Sequence, residues 1–231
     1  MKIIILAAGL GSRLRKGEGD IPKPLTVLRT GETIMQVQVK SLKAHFDVND
    51  IMLVVGYKMN LIMECFPSLL YVYNEDFSSS NTSKSLLRAL RKVKNEGTLW
   101  LNGDVVFDDN LLGMIKPCIE KDQSFVSVNN AKVSDEEIKY TLDSEGHIEK
   151  LSKTVIHGLG EAVGINYISS KDLEAFKMAL DECDEKDYFE RGLEILINRG
   201  HKIVPVDISK SFCMEIDFQE DLNAVNEKLN H

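Results

Sequence analysis

Several absences narrow the field before any motif is read. No apolar stretch is long enough to cross a bilayer, which takes about 20 residues in a helix. Positive charge is in deficit: 28 Lys and Arg face 36 Asp and Glu, for a formal net charge of −8. Nucleic-acid binders carry a basic face, so nucleic acid is excluded as a partner. The four cysteines, at 65, 118, 183 and 213, have no paired spacing. Neither a zinc site nor a disulfide framework is indicated, and free thiols fit the reducing cytoplasm. The apolar run at the start is too short for a signal peptide and runs straight into Arg13-Leu14-Arg15-Lys16. With no internal repeat, linker or low-complexity tract, the 231 residues are expected to fold as one α/β domain with a large core. The oligomeric state, a homodimer included, stays open.

What is present is organised around Lys2-Ile3-Ile4-Ile5-Leu6-Ala7-Ala8-Gly9-Leu10-Gly11-Ser12-Arg13, answered by Pro22-Lys23-Pro24-Leu25. An apolar strand ends abruptly in small residues and two glycines. The carboxyl edge of such a strand is where α/β sheets place ligands. Gly9 and Gly11 remove side chains that would keep a phosphate from backbone N–H groups. Arg13 suits bidentate phosphate contacts and Lys23 acts as a point charge. Together they read as a triphosphate cradle.

Two familiar glycine motifs are missing. A dinucleotide fingerprint needs a third glycine where Leu14 stands, and an acidic residue closing a second strand about 20 residues on. The P-loop needs Gly-Lys-Ser/Thr, which does not occur here. A nicotinamide dehydrogenase is therefore the weakest of the candidate functions.

Periodicity predicts helices over 32–45, 58–65 and 83–93 alternating with strands over 50–55, 69–73 and 98–101. That alternation implies parallel strands with right-handed crossovers. The second half is less regular. Strands are expected at 124–128, 140–142, 147–151, 164–168, 202–206 and 213–217, with helices at 171–180, 188–198 and 219–229. The irregular stretch from 130 to 160 reads as a lid or acceptor-binding subregion. Asp108 and Asp109 are expected at a helix start, where the dipole favours acids. Asp104 and Asp217 each follow a short strand, and on that reading each starts a turn or, for Asp217, caps the last helix.

Leu6 to Arg13 followed by Pro22-Lys23-Pro24-Leu25 resembles the signature of nucleotidyltransferases that activate sugar phosphates and related phosphorylated acceptors, with matching spacing. Where that family often has a proline soon after the arginine, this chain has Lys16-Gly17-Glu18-Gly19-Asp20, which suggests a mobile loop over the phosphates. The resemblance implies a Rossmann-like, mostly parallel sheet flanked by helices, with 1–129 mainly nucleotide-binding and 130–217 mainly acceptor-binding. It also carries metal ligation onto Asp104 and Asp217. Mg²⁺ takes one or two protein carboxylates plus phosphate oxygens. The nucleotide-binding set it implies is Leu6, Ala7, Ala8, Gly9, Gly11, Ser12 and Arg13 from the first loop, with Asn102, Gly103 and Asp104.

In the resembled family, members using UTP or dTTP tend to carry a Gly-Thr-Ala-type turn where this chain has Asn81-Thr82-Ser83-Lys84-Ser85. The segment is closer to the Asn-rich loop of the phosphocholine cytidylyltransferase branch. CTP is therefore the expected donor, read by Asn81, Ser83 and Ser85 (short polar side chains that equally suit helix capping). A phosphate monoester acceptor is largely dianionic at neutral pH and can attack the α-phosphorus without a protein base. Catalysis is then expected from positioning and charge neutralisation, by Lys23 between the two phosphates and Arg13 at the β/γ end. A choline head group would want an aromatic cage, yet the 130–161 stretch offers only Tyr140. It holds Lys132, Lys139, Lys150, Lys153 and His157, which favours an amino-acid-like acceptor such as phosphoglutamine, used in cell-surface polysaccharide decoration. Tyr140, Glu161, Tyr188 and Glu190 are the candidate acceptor contacts. Competing expectations are a sugar-1-phosphate uridylyl- or thymidylyltransferase, and a regulatory nucleotide-binding module without turnover.

Overall fold

The computed structural model describes residues 1–14, 21–131 and 137–229. The 16–20 run and Lys132 lie outside the described residues. At the centre stands β1 (Lys2–Ala7), with Ile3, Ile4 and Ile5 fully buried. It pairs in parallel with β2 (Ile51–Val55) and β4 (Thr98–Asn102), and β3 (Leu70–Tyr73) extends the parallel run beyond β2. The crossovers are α1 (Ile34–His45), α2 (Met59–Cys65) and α3 (Thr82–Leu90). All lie within a few residues of their predicted spans. A capping box opens α1: Gln36 N–H donates to the Thr33 hydroxyl at 3.2 Å, and Thr33 N–H to the Gln36 side chain at 2.7 Å.

After β4 come β5 (Val105–Phe107), α4 (Asp109–Glu120), β6 (Phe125–Asn129), β7 (Lys139–Leu142), β8 (Ile148–Ser152) and β9 (Glu161–Ile168). The chain continues through α5 (Leu173–Glu182), α6 (Phe189–Asn198), β10 (Val204–Asp207), β11 (Cys213–Glu215) and α7 (Gln219–Lys228). The main sheet runs β10-β6-β9-β4-β1-β2-β3. Only β9 is reversed along that path, antiparallel to both β4 and β6. The sheet is thus mostly parallel and flanked by helices, as expected.

Alternation along β1 divides the core into two faces. Ile3 and Ile5 join Met35 and Leu42 of α1 and Leu111 and Ile115 of α4. Ile4 and Leu6 join Leu86 and Leu90 of α3, Phe176 of α5 and Leu193 of α6. Trp100 is fully buried on that second face, stacked on Phe176 at 5.3 Å and meeting Phe189 edge-on at 5.6 Å.

The irregular middle resolves into a β7–β8 hairpin attached to the start of β9 through Lys139 opposite Glu161. Asp108 does cap α4, accepting from Leu111 N–H at 3.3 Å, with Asp109 in the first turn. Asp217 does not cap the last helix. Asp221 instead accepts the N–H groups of Asp217 and Phe218, at 2.9 and 2.7 Å. The element missed by periodicity is β5. It pairs antiparallel with β11, Val105 opposite Glu215, and this small second sheet determines the geometry of the site.

Candidate active site

The carboxyl ends of β1 and β4 open into a cavity of about 800 Å³. From the first loop, Leu6, Ala7, Gly9, Gly11, Ser12 and Arg13 line it, whereas Ala8 is buried behind the wall and its carbonyl accepts Tyr57 N–H at 3.0 Å. Gly11 has φ +60°, and a Cβ there would stand 2.7 Å from the Lys23 Cβ. A glycine is thus required for both the backbone turn and the passage of the Lys23 stem. Pro22 to Leu25 forms a tight 3₁₀ turn with Pro24 and Leu25 buried, anchoring Lys23 at its base.

The Lys23 ammonium donates to Asp104 Oδ2 and to Asp217 Oδ1, each at 2.7 Å. Arg13 adds a 3.2 Å contact to Asp217 Oδ2. Two acids 113 positions apart in sequence therefore converge on one nitrogen. The cause is the β5–β11 pairing, extended one step by Ile216 N–H donating to the Asp104 carbonyl at 3.0 Å. Gln38, fully buried on α1, braces the turn from below. Its amide donates to the carbonyls of Asn102 and Val105, both at 2.8 Å.

Charge balance follows from these distances. Burial pulls the Lys23 pKa down, but the charges and hydrogen bonds of Asp104 and Asp217 outweigh it and hold it above the ordinary lysine value. Burial pushes Asp217 up, and the stronger pull of Lys23, with Arg13 and Lys153 behind it, keeps it below the usual carboxylate range.

A further part of the cavity wall is acidic. Glu137, Glu190 and Glu215 line it together with Tyr188, Phe218 and Lys153. Glu215 Oε1 accepts from Asn102 Nδ2 at 3.1 Å. Burial and the nearby charge of Asp104 push Glu215 up to about 8, and burial is the main cause that raises Glu190 to about 7.

The remaining predicted residues divide. Asn102, Gly103, Asn81, Tyr188 and Glu190 line the cavity. Asn81 is engaged as the cap of α3, accepting from Thr82 N–H at 2.8 Å and donating to the Lys186 carbonyl at 3.1 Å. Ser83, Ser85, Tyr140 and Glu161 stand outside the wall. The Ser83 hydroxyl donates to the Asp187 carbonyl at 2.7 Å, and Ser85 accepts from Asn74 Nδ2 at 2.9 Å. Tyr140 packs in the core with its hydroxyl donating to Asn130 at 2.7 Å, and Glu161 is buried in β9 opposite Asn129. For the two serines and Tyr140 the structural demand on the side chain displaces the expected contact. Of the lysines considered, Lys153 reaches the cavity, its Nζ 5.2 Å above the Tyr188 ring. Gln38, Glu215 and Phe218 were missed.

Asp104 Oδ1 is buried and without a hydrogen-bond partner among the described residues. An orphaned carboxylate oxygen beside a second carboxylate is hard-oxygen donor chemistry, and it fits a divalent cation such as Mg²⁺. A second cluster, Asp143, Glu145 and His147, lies on the β7–β8 turn away from the cavity wall. Asp143 there closes the turn, accepting the N–H groups of Glu145 and His147 at 2.9 Å each. Among the described residues, no helix is long and apolar enough to cross a membrane.

A glycine-lined loop, a lysine and two convergent carboxylates thus meet at the carboxyl edge of a mostly parallel sheet. The chain belongs to the MobA-like NTP transferase domain family, whose model matches residues 3–172. It is 34% identical over 114 residues to a bifunctional protein GlmU of Methanococcus maripaludis, covering 48% of this chain and 26% of that protein. The chain thus spans about a quarter of the length of that curated relative. Over its full length it is 23% identical to a D-glycero-alpha-D-manno-heptose 1-phosphate guanylyltransferase of Aneurinibacillus thermoaerophilus, covering 99% of it. In fold it is similar to the inositol-1-phosphate CTP transferase from T. maritima, with a TM-score of 0.81, 22% identity, and coverage of 99% and 94% of the two chains.

Proposed function

We propose that the protein transfers CMP from CTP to a small phosphorylated non-sugar acceptor, releasing pyrophosphate and leaving a CDP-linked product. The observation that carries this is the Lys23 ammonium held between Asp104 and Asp217 beside the glycine loop. An acceptor phosphate oxygen attacks the α-phosphorus, the new P–O bond forms, and the bond to the β-phosphate breaks. The dianionic acceptor needs no base, and among the described residues no histidine or cysteine lines the cavity. In this reading Lys23 bridges the acceptor phosphate and the α-phosphate, and Arg13 serves the β/γ end. Asp104 and Asp217 would hold Mg²⁺, which when bound neutralises charge developing on the leaving pyrophosphate. Residues 1–129 supply most of the nucleotide side and 130–217 most of the acceptor side.

Support for CTP comes from the short polar wall of Ser78, Ser80, Asn81 and Thr82, suited to a pyrimidine edge. Ser83 and Ser85 drop out of the base-reading set because they stand outside the cavity wall. The full-length relative named for guanylyl transfer to a sugar phosphate makes GTP with a sugar 1-phosphate the competing pair. Incubating the protein and Mg²⁺ with each NTP against a panel of phosphorylated acceptors, with pyrophosphate detection, separates the two. The reading requires CTP to exceed every other nucleotide with at least one non-sugar acceptor; exclusive use of GTP with sugar phosphates removes it.

A further inference from the structure

Asp104 stands on the short turn that joins β4 to β5, and three separate elements hold the backbone of that turn. From β1, the Leu6 carbonyl accepts Gly103 N–H at 2.9 Å. A Cβ on Gly103 would stand 2.6 Å from that same oxygen, so the turn lies directly against the end of β1. Next to β11, Ile216 N–H donates to the Asp104 carbonyl at 3.0 Å. The third hold comes from a side chain of α1. The Gln38 amide nitrogen carries two hydrogens and donates to the carbonyls of Asn102 and Val105, at 2.8 Å each. Those two residues flank Gly103 and Asp104, so a single NH₂ group spans the turn from end to end.

The location of Gln38 is unfavourable for a polar side chain. It is fully buried on the face of α1 that carries Met35, Val39 and Leu42. Its own Oε1 is buried with no hydrogen-bond partner among the described residues, and an amide buried with one end unsatisfied costs free energy. The residue is therefore explained by what it donates to, and not by the helix face it helps to cover. Gln38 does not line the cavity, whereas Asn102, Gly103 and Asp104 do. Any effect it has on a ligand passes through the turn.

We infer that Gln38 is a positioning residue for Asp104. By fixing both ends of the turn it sets the direction in which the Asp104 carboxylate leaves the backbone, and with it the Oδ1 that a divalent cation would take. Mg²⁺ demands near-ideal octahedral geometry, and a misplacement of about 1 Å transmitted from a remote residue is enough to spoil a site. The inference rests on the nucleotidyl-transfer reading, in which Asp104 holds the metal, and adds to it a residue that touches neither metal nor nucleotide.

The test titrates Mn²⁺ without nucleotide and follows it by paramagnetic resonance. Gln38→Met, close in volume but without a donor, should bind Mn²⁺ about tenfold more weakly than wild type, the lower end of the loss when a residue that orients a ligand is removed. Gln38→His, which keeps a ring N–H for one of the carbonyls, should fall between the two. Leu42→Ala empties a fully buried position on the same helix and should lose a comparable amount of stability in urea. Its Mn²⁺ affinity should nevertheless stay within about twofold of wild type, as for an independent site. Wild-type affinity in either Gln38 variant, or an equal loss in Leu42→Ala, overturns the inference. Asp104→Asn distinguishes the two levels. Weakened Mn²⁺ binding there, with wild-type affinity in Gln38→Met, removes Gln38 and leaves the metal site standing. Wild-type affinity in Asp104→Asn, or no Mn²⁺ binding by the wild type, removes both.

Discussion

The two sides of the cavity treat charge in opposite ways. At the phosphate side, Lys23 and Arg13 meet Asp104 and Asp217 at 2.7 to 3.2 Å. The pKa of Lys23 rises and that of Asp217 falls, so both charged forms are favoured by folding. At the acceptor side, Glu190 and Glu215 are raised towards neutrality, so their charged forms oppose folding. The two sides meet at one turn, Asn102-Gly103-Asp104. Asn102 holds Glu215 and Asp104 holds Lys23. The Lys23 side is satisfied by its own residues, whereas on the Glu190 and Glu215 side burial drives the carboxyls towards the neutral form.

The comparison breaks most sharply at Lys23. Its replacement by alanine, or Asp104→Asn, should lower turnover by roughly 10² to 10³, the usual loss when one preorganised charge-stabilising group is removed. Steady-state pyrophosphate release measures it, with circular dichroism confirming the fold. Near-normal activity in either variant would remove the assigned roles.

Bracing of the shared turn is next in size. Gln38→Leu leaves the Asn102 and Val105 carbonyls without donors. At about 1–3 kcal/mol for each of the two buried groups left unsatisfied, the variant should lose roughly 2–6 kcal/mol in urea unfolding. A loss below about 0.5 kcal/mol, typical of an ordinary surface substitution, would mean the turn is held by other contacts.

The phosphate side can be sharpened without turnover. The Lys23 ammonium occupies both carboxylates that would ligate a metal, so Lys23→Met should bind Mn²⁺ more tightly than wild type in the absence of nucleotide. The gain should be roughly tenfold, the scale of about 1.4 kcal/mol for one competing, partly buried ion pair. Titration followed by Mn²⁺ paramagnetic resonance reads it; unchanged affinity would separate the metal from this pair.

The strands and helices of the first half were legible because each buries a continuous or periodic apolar face. Lys23, Asp104 and Asp217 could be picked out because each sits in a short motif at a strand end. Their convergence was not written locally, since β5 is three residues long and gains its identity only from β11, over 100 residues away. Gln38 did leave a signal. It is a polar residue at the helical spacing of Met35, Val39 and Leu42, and such a position implies a buried hydrogen-bonding task. Tyr140 misled because an aromatic in an irregular stretch suggested a ligand contact, whereas β7 turns it into the core with Ile148 and Leu151. Ser83 and Ser85 illustrate the competition at a helix start, where capping and stitching to the 184–188 loop use the same short hydroxyls that could have read a base.

The smallest expected effect tests the acceptor side alone, through pH. A carboxyl whose folded pKa lies above its unfolded value binds more protons when folded. Stability is then greatest below the unfolded value and falls as pH rises through the folded one. For Glu215 that window runs from the ordinary 4.5 to about 8, and for Glu190 from 4.5 to about 7. Glu215→Gln keeps an oxygen for the Asn102 amide and removes the charge, so it should leave the melting temperature at pH 5 unchanged within a degree or so. At pH 8 it should raise it by about 2–4 °C, the shift expected per kcal/mol for a chain of this size. Asp217 works in the opposite sense. Its depressed pKa contributes stability present at neutral pH and lost as pH falls through the acid range, so Asp217→Asn should be less stable than wild type at pH 7 and converge with it near pH 3. Parallel melting curves for the two variants across pH 3 to 8 would show the two sides diverging in sign. Melting temperatures that move together in both would mean the carboxyls of the acceptor side are balanced like those of the phosphate side.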